Sequence, residues 1–129
     1  MEKKRILIVD DEEDFLKITK LNLEDTGRYE TLTLSSGKDI ISRVHEFRPD
    51  IIVLDILMPG IGGIEACQML NDDSLGAEIP IIILSALDKE QDKQKAYRLG
   101  VVDYVVKPIK KSVLIDKIEK ALRLKEGRE

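Results

Sequence analysis

Ile51-Ile52-Val53-Leu54-Asp55 is a run of four apolar residues closed by a carboxylate, and Ile56-Leu57-Met58-Pro59-Gly60 follows it. A short β-branched run without alternation predicts a strand buried on both faces, as in a parallel sheet. Pro49 punctuates its start, and Met58-Pro59-Gly60 turns the chain at its end. Asp55 therefore falls where a central strand leaves the sheet. In open α/β sheets that rim, at the carboxyl ends of the strands, is where ligands bind. A lone aspartate there equally suits a helix cap or a bond to its own loop.

Working outward, Ile6-Leu7-Ile8-Val9 and Ile81-Ile82-Ile83-Leu84 are two more unbroken apolar runs, ending in Asp10-Asp11-Glu12 and in Ser85-Ala86. Two further strands are mixed. Tyr29 to Leu34 alternates polar and apolar residues, and Val101 to Val106 carries Asp103 and Tyr104 before Lys107-Pro108. Helical spacing fills the gaps. Phe15, Leu16, Ile18, Leu21 and Leu23 predict a first helix with a broad apolar side, with Asp10 or Asp11 as its N-cap and Gly27 closing it. Ser36 and Asp39 resemble a capping box before Ile40, Ile41, Val44 and Phe47. His45 falls beside that stripe as a solvated residue. Ile64, Cys67 and Leu70 mark a third helix, with Cys67 in the core. Asp88 and Gln91 open a fourth, whose residues 89–95 are all polar, so it should be the most loosely held. Val113, Leu114, Ile118, Ala121 and Leu122 line the last.

The composition sets bounds. A chain of 129 residues suits one domain with one core, and 43% apolar with 36% charged residues describes an ordinary globular protein. A net charge of −4 offers no basic footprint for nucleic acid. One cysteine and one histidine leave no disulfide and no zinc-type cluster. The apolar run behind the basic start, Met1 to Arg5, stops after four residues, far short of a signal sequence or membrane span, so a cytoplasmic location is expected.

Unbroken apolar strands belong in the middle of a sheet and mixed ones at its edges. With right-handed crossovers, five strands and five helices predict a doubly wound α/β domain with the parallel order 2-1-3-4-5. Asp10, Asp11, Asp55, Ser85 and Lys107 then converge on one rim. Two carboxylates ~5 Å apart repel by ~3 kcal/mol at an effective dielectric of ~20. Three of them need compensation. Lys107 supplies one charge, and a hard cation that accepts carboxylates and tolerates a phosphate oxygen, Mg²⁺, answers the remainder.

With those motifs in view, the chain resembles a response-regulator receiver domain of two-component signal transduction, similar to the chemotaxis single-domain regulators. The resemblance covers about residues 5–124 of a single domain spanning 1–129, with a charged tail over 125–129. It implies a flavodoxin-like three-layer sandwich, and a phosphorylation-dependent switch rather than an enzyme. Asp55 would accept a phosphoryl group from a sensor histidine kinase or phosphotransfer protein. Asp10, Asp11, Asp55 and the Leu57 carbonyl would hold Mg²⁺. Lys107 would pair with a phosphoryl oxygen beside a cis bond to Pro108. Ser85 would bond the phosphoryl group in the active state, with Tyr104 swinging inward behind it. The signal would leave through the fourth helix, fifth strand and fifth helix, toward an effector protein, a linked output domain or a phosphorylation-dependent homodimer. Gly62 stands where many relatives carry Asp.

Two other classes fit less well. An aspartyl phosphatase would want a D-x-D pattern after the first strand, where Asp10-Asp11-Glu12 stands. A nucleotide or flavin binder would want a glycine- or hydroxyl-rich loop there. A receiver-like module that is not phosphorylated is the remaining alternative. Kinase, pathway, output and oligomeric state are not written in the sequence.

Overall fold

The computed structural model describes residues 2–126. Five strands, β1 (Lys4–Val9), β2 (Tyr29–Leu34), β3 (Ile51–Leu54), β4 (Ile81–Ser85) and β5 (Asp103–Val106), alternate with five helices, α1 (Glu13–Glu24), α2 (Ile40–Phe47), α3 (Gly63–Asn71), α4 (Glu90–Arg98) and α5 (Lys111–Glu126). The strands form one parallel sheet in the order β2-β1-β3-β4-β5. Every residue of β3 and β4 is buried, whereas β2 and β5 each keep partly exposed positions. The contrast between continuous and mixed apolar runs thus sorts centre from edge.

Alternate residues of the central strands feed two cores. Leu7, Val9, Ile52, Leu54, Ile81 and Ile83 pack on the side of α2, α3 and α4, where Cys67 is fully buried. Ile6, Ile8, Ile51, Val53, Ile82 and Leu84 pack on the side of α1 and α5. Burial pushes the Cys67 thiol up to about 12, so it behaves as a small apolar side chain.

Several local expectations need correction. The apolar side of α1 is narrower than its sequence suggests. Leu16 and Leu23 are buried with Thr19, while Ile18 and Leu21 are 59% and 70% exposed. The anticipated caps serve elsewhere. Asp10 accepts from the Glu12 amide, Ser36 from the Lys38 amide, and Asp88 pairs with Lys93, while the residues at the N-caps of α1, α2 and α4 are Glu12, Asp39 and Lys89, none with a side-chain cap bond. Each candidate found a nearer partner, the local competition characteristic of short polar side chains. Gly27 does adopt a positive φ of 77°, two residues beyond the last-turn cap Asp25. His45 is exposed, as expected, and also has a partner. Its Nε2 lies 2.9 and 3.0 Å from the two Asp73 carboxylate oxygens, tying α2 to the loop after α3. That loop contains a 3-10 turn, Gly76–Glu78, where a plain polar connection was expected. Residues 125 and 126 belong to α5, and Lys4 pairs with Glu126 at 3.1 Å. The last three residues of the expected tail lie outside the described residues.

The two flanks of the sheet are covered with unequal firmness. Ala96 is the only buried residue of α4, in keeping with a weakly anchored helix. On the outer flank of β2, the Thr31 amide donates to Glu24 Oε2 and Lys20 Nζ donates to the Thr31 carbonyl, so α1 occupies groups that an edge strand leaves open.

Candidate functional site

At the carboxyl end of the sheet, β1 delivers Asp10 and Asp11, β3 delivers Asp55, β4 ends in Ser85, and Lys107 follows β5 directly. Carboxylate oxygens of Asp10, Asp11 and Asp55 all lie within 4.8 Å of one another. Asp10 and Asp55 are 1% and 4% exposed, and Asp11 faces solvent. The backbone sets these positions. The Asp10 amide bonds the Leu34 carbonyl and the Asp55 amide bonds the Val9 carbonyl, which extends the sheet ladder one residue into the rim. Asp55 Oδ1 then accepts from the Leu57 amide at 3.1 Å, holding the following loop in a tight turn.

Lys107 crosses the cluster. Its Nζ lies 2.6 Å from Asp10 Oδ2, 3.0 Å from Glu12 Oε1 and 3.4 Å from Asp55 Oδ2. The Phe15 ring lies 4.3 Å away from the same nitrogen. Burial alone would lower the Lys107 pKa, yet the bonds to Asp10 and Glu12 and the charges of Asp10 and Asp55 raise it above the ordinary value. Asp10 moves up as well. Burial raises it more than Lys107 and the Glu12 amide lower it, and the Asp55 charge adds to the rise. The Lys107-Pro108 bond is cis, as the resemblance implied.

Ser85 is fully buried, and its Oγ accepts from the Leu87 amide at 3.3 Å. Tyr104 is 8% exposed, and its hydroxyl donates to the Leu87 carbonyl at 2.8 Å. The ring thus already lies inside, because the loop after β4 offers a carbonyl there to satisfy the phenol. Burial raises the phenol pKa, with the Asp92 charge adding to it and the nearby Ser85 hydroxyl opposing it.

Sequence reasoning found every member of the rim by position but missed two neighbours. Glu12 at the start of α1 and Phe15 packed against the core are placed as expected, and both also contact the Lys107 ammonium. The available signal was their place, directly after the acid pair and at the start of the helix that faces Lys107. Glu12, Phe15, Ala86, Lys107, Pro108 and Ile109 line a groove that opens beside the cluster.

The arrangement agrees with the chain's relatives. Residues 6–119 match the family model described as the response regulator receiver domain. The chain belongs to the response regulator receiver domain family. This receiver domain is 37% identical over 123 residues to the alkaline phosphatase synthesis transcriptional regulatory protein PhoP of Bacillus subtilis, covering 95% of this chain and 50% of that protein. It spans about half the length of the curated relatives it matches. Among solved structures it is similar to a CheY-like response regulator receiver domain protein from Methanospirillum hungatei, with a TM-score of 0.92, 25% identity and coverage of 99% and 100% of the two chains. It is also similar to the signal receiver domain of a histidine kinase from Syntrophus aciditrophicus, with a TM-score of 0.83, 32% identity and coverage of 93% and 90%. As a receiver domain of two-component response regulators, the chain is a phosphorylation-dependent signalling switch.

Proposed function

We propose that Asp55 is the phosphoacceptor of this receiver, taking a phosphoryl group from a sensor histidine kinase or phosphotransfer protein in a Mg²⁺-dependent reaction. The observation that carries this reading is the buried Asp55 carboxylate within reach of both the acid pair and the Lys107 ammonium. Three carboxylates from Asp10, Asp11 and Asp55 form a hard oxygen set suited to Mg²⁺. The Leu57 carbonyl is assigned as the further protein ligand. The bound metal would neutralise charge on the transferring phosphoryl group.

The residues of the chain supply the remaining chemistry. The Asp55 carboxylate oxygen attacks phosphorus in line, and the bond from phosphorus to its donor breaks as the new acyl phosphate bond forms. Lys107 pairs with a phosphoryl oxygen. Ser85, whose Oγ can donate its own hydrogen while accepting from Leu87, bonds another. Drawing Ser85 toward the phosphoryl group would tighten the Tyr104–Leu87 arrangement and repack α4, β5 and α5, the face that addresses an effector, a linked output domain or a second phosphorylated copy. Residues 1–129 act as one receiver unit in this reading, without direct contact to nucleic acid, and work in the cytoplasm. No helix among the described residues is long and apolar enough to cross a membrane.

Intact-mass measurement after exposure to a small acyl-phosphate donor and Mg²⁺ tests the assignment. One added phosphoryl group, labile to hydroxylamine, is expected, with hydrogen exchange changing most over residues 86–106. A chain that takes up no label from either the donor or a histidine kinase would overturn it in favour of a non-phosphorylated module.

The lifetime of the phosphorylated state is a second expectation. Leu57 is 53% exposed beside Asp55, and Leu87 is half-buried beside Ser85. Neither side chain can orient an attacking water, and both screen the acceptor. A persistent acyl phosphate is expected, and Leu57→Asn with Leu87→Glu should shorten its life about tenfold, the equivalent of ~1.4 kcal/mol of barrier. Single-turnover loss of label in Mg²⁺ measures this. An unchanged decay in the double variant would show that the leucines do not govern water access.

A further inference from the structure

Glu12 sits at the N-cap position of α1, but its carboxylate makes no cap bond there. Nor is it part of the acid cluster of Asp10, Asp11 and Asp55. Its side chain is 64% exposed and turns back over the rim to Lys107 Nζ at 3.0 Å. Helix formation and core packing therefore leave this contact unexplained.

The contact gains meaning from the other partners of Lys107. An ammonium has three hydrogens to donate. In this structure they face Asp10, Glu12 and Asp55. Two of those acceptors belong to the cluster suited to Mg²⁺. An Asp10 carboxylate that turns to a divalent cation holds an ammonium at 2.6 Å less strongly, because the two positive charges repel across it. Lys107 then needs an acceptor outside the cluster. The Phe15 ring attracts the charge from one side but accepts no directed hydrogen bond of comparable strength. Among the described residues, Glu12 is the acceptor of Lys107 that lies outside the cluster. Its backbone is fixed by the bond from its amide to Asp10 Oδ1 at 2.9 Å, so its side chain starts from a defined point beside the rim.

Resting on the phosphoacceptor reading of Asp55, we propose that Glu12 is a positioning residue for Lys107. It keeps the ammonium at the rim, beside Asp55, when Asp10 gives up its bond to Lys107 in favour of the metal. With Glu12 in place, Lys107 can hold one bond outward and turn its other hydrogens to the phosphoryl oxygen. Without it, Lys107 must either compete with the metal for Asp10 or lose its place.

Mg²⁺ titrations of the full chain, read as the shift in thermal melting, test this independently of phosphorylation. Glu12→Gln loses the charge but keeps an oxygen that accepts from Lys107, whereas Glu12→Ala loses both. Glu12→Ala is expected to bind Mg²⁺ about fivefold more weakly than Glu12→Gln, the size of one partly exposed hydrogen bond to a charged group. In a Lys107→Met background, which keeps the bulk of the stem, the two Glu12 variants should bind Mg²⁺ equally. Coincident Glu12→Ala and Glu12→Gln affinities in the native background would overturn the proposal, as would a difference that persists without Lys107. A native chain that Mg²⁺ does not stabilise at all would overturn the metal reading itself. That result is distinct from failure of the Glu12 role, in which the native chain responds and the two variants agree.

Discussion

Asp55→Asn is expected to take up no phosphoryl group and yet to melt at a higher temperature than the native chain when no divalent cation is present. The two effects share one cause. The carboxylate proposed to attack phosphorus is also one of three negative groups within 4.8 Å of one another, with Lys107 as their shared counter-charge. Replacing it with an amide removes the nucleophile. It retains an oxygen able to accept from the Leu57 amide, so the turn after β3 survives. The gain should be modest, about 1 kcal/mol or roughly 4 °C in a domain of this size, because Lys107 already offsets part of the repulsion. Mg²⁺ at a hundred times its dissociation constant stabilises a binding-competent chain by ~2.7 kcal/mol, and the variant should gain less than that. Intact mass and melts with and without Mg²⁺ read both effects. Label on the variant would refute the site, and a lower metal-free melting temperature would refute the crowding.

Among the described glycines, Gly63→Ala should be the most damaging change to alanine. Helix propensity alone predicts the opposite, since alanine in place of a helical glycine gains roughly 0.5–1 kcal/mol. The surroundings decide the sign. A Cβ at Gly63 would fall on the Asp55 carbonyl oxygen and lie 2.6 Å from Ile56 Cα. These are backbone atoms at the end of a central strand and cannot swing aside as a side-chain tip would. Relief requires either α3 or the Asp55 turn to shift, with a net loss of about 3 kcal/mol, on the order of 10 °C in melting temperature. Gly62→Ala is the control. Its Cβ would meet only the Ile56 carbonyl oxygen, at 3.4 Å, so stability should change by no more than about 0.5 kcal/mol. Equal melting of the two variants would show that the close approach of α3 to β3 does not constrain the site.

The sheet order was legible because it depends on a coarse property. A strand covered on both faces must be apolar throughout, and β1, β3 and β4 are nearly so, while Glu30 and Asp103 mark β2 and β5 as flanks. The rim came with the order, since β1, β3 and β5 are each followed at once by a charged residue and β4 ends in a serine. Finer choices were not legible. Ile18 and Leu21 carry the same apolar signal as Leu16 and Leu23, but which side of α1 meets the sheet depends on its docking angle. Caps failed for a similar reason, because Asp10, Ser36 and Asp88 each had another partner within reach. The inward Tyr104 depends on a carbonyl at Leu87, seventeen residues earlier, and no local pattern announces such a pairing.

That Tyr104–Leu87 bond bears on how much contrast the signal can have. A two-state device gains only what its resting population leaves unfilled, and each tenfold of inward population present at rest is ~1.4 kcal/mol that the phosphoryl group has no opportunity to add. If inward seating of Tyr104 belongs to the signalling form, as proposed above, a phenol bonded to Leu87 before any chemistry at Asp55 places the chain partway toward that form. Background output would then be appreciable, and phosphorylation would work chiefly by deepening an existing basin. Weakening the bond at Leu87 would be the route to a quieter resting state and a wider span between silence and response.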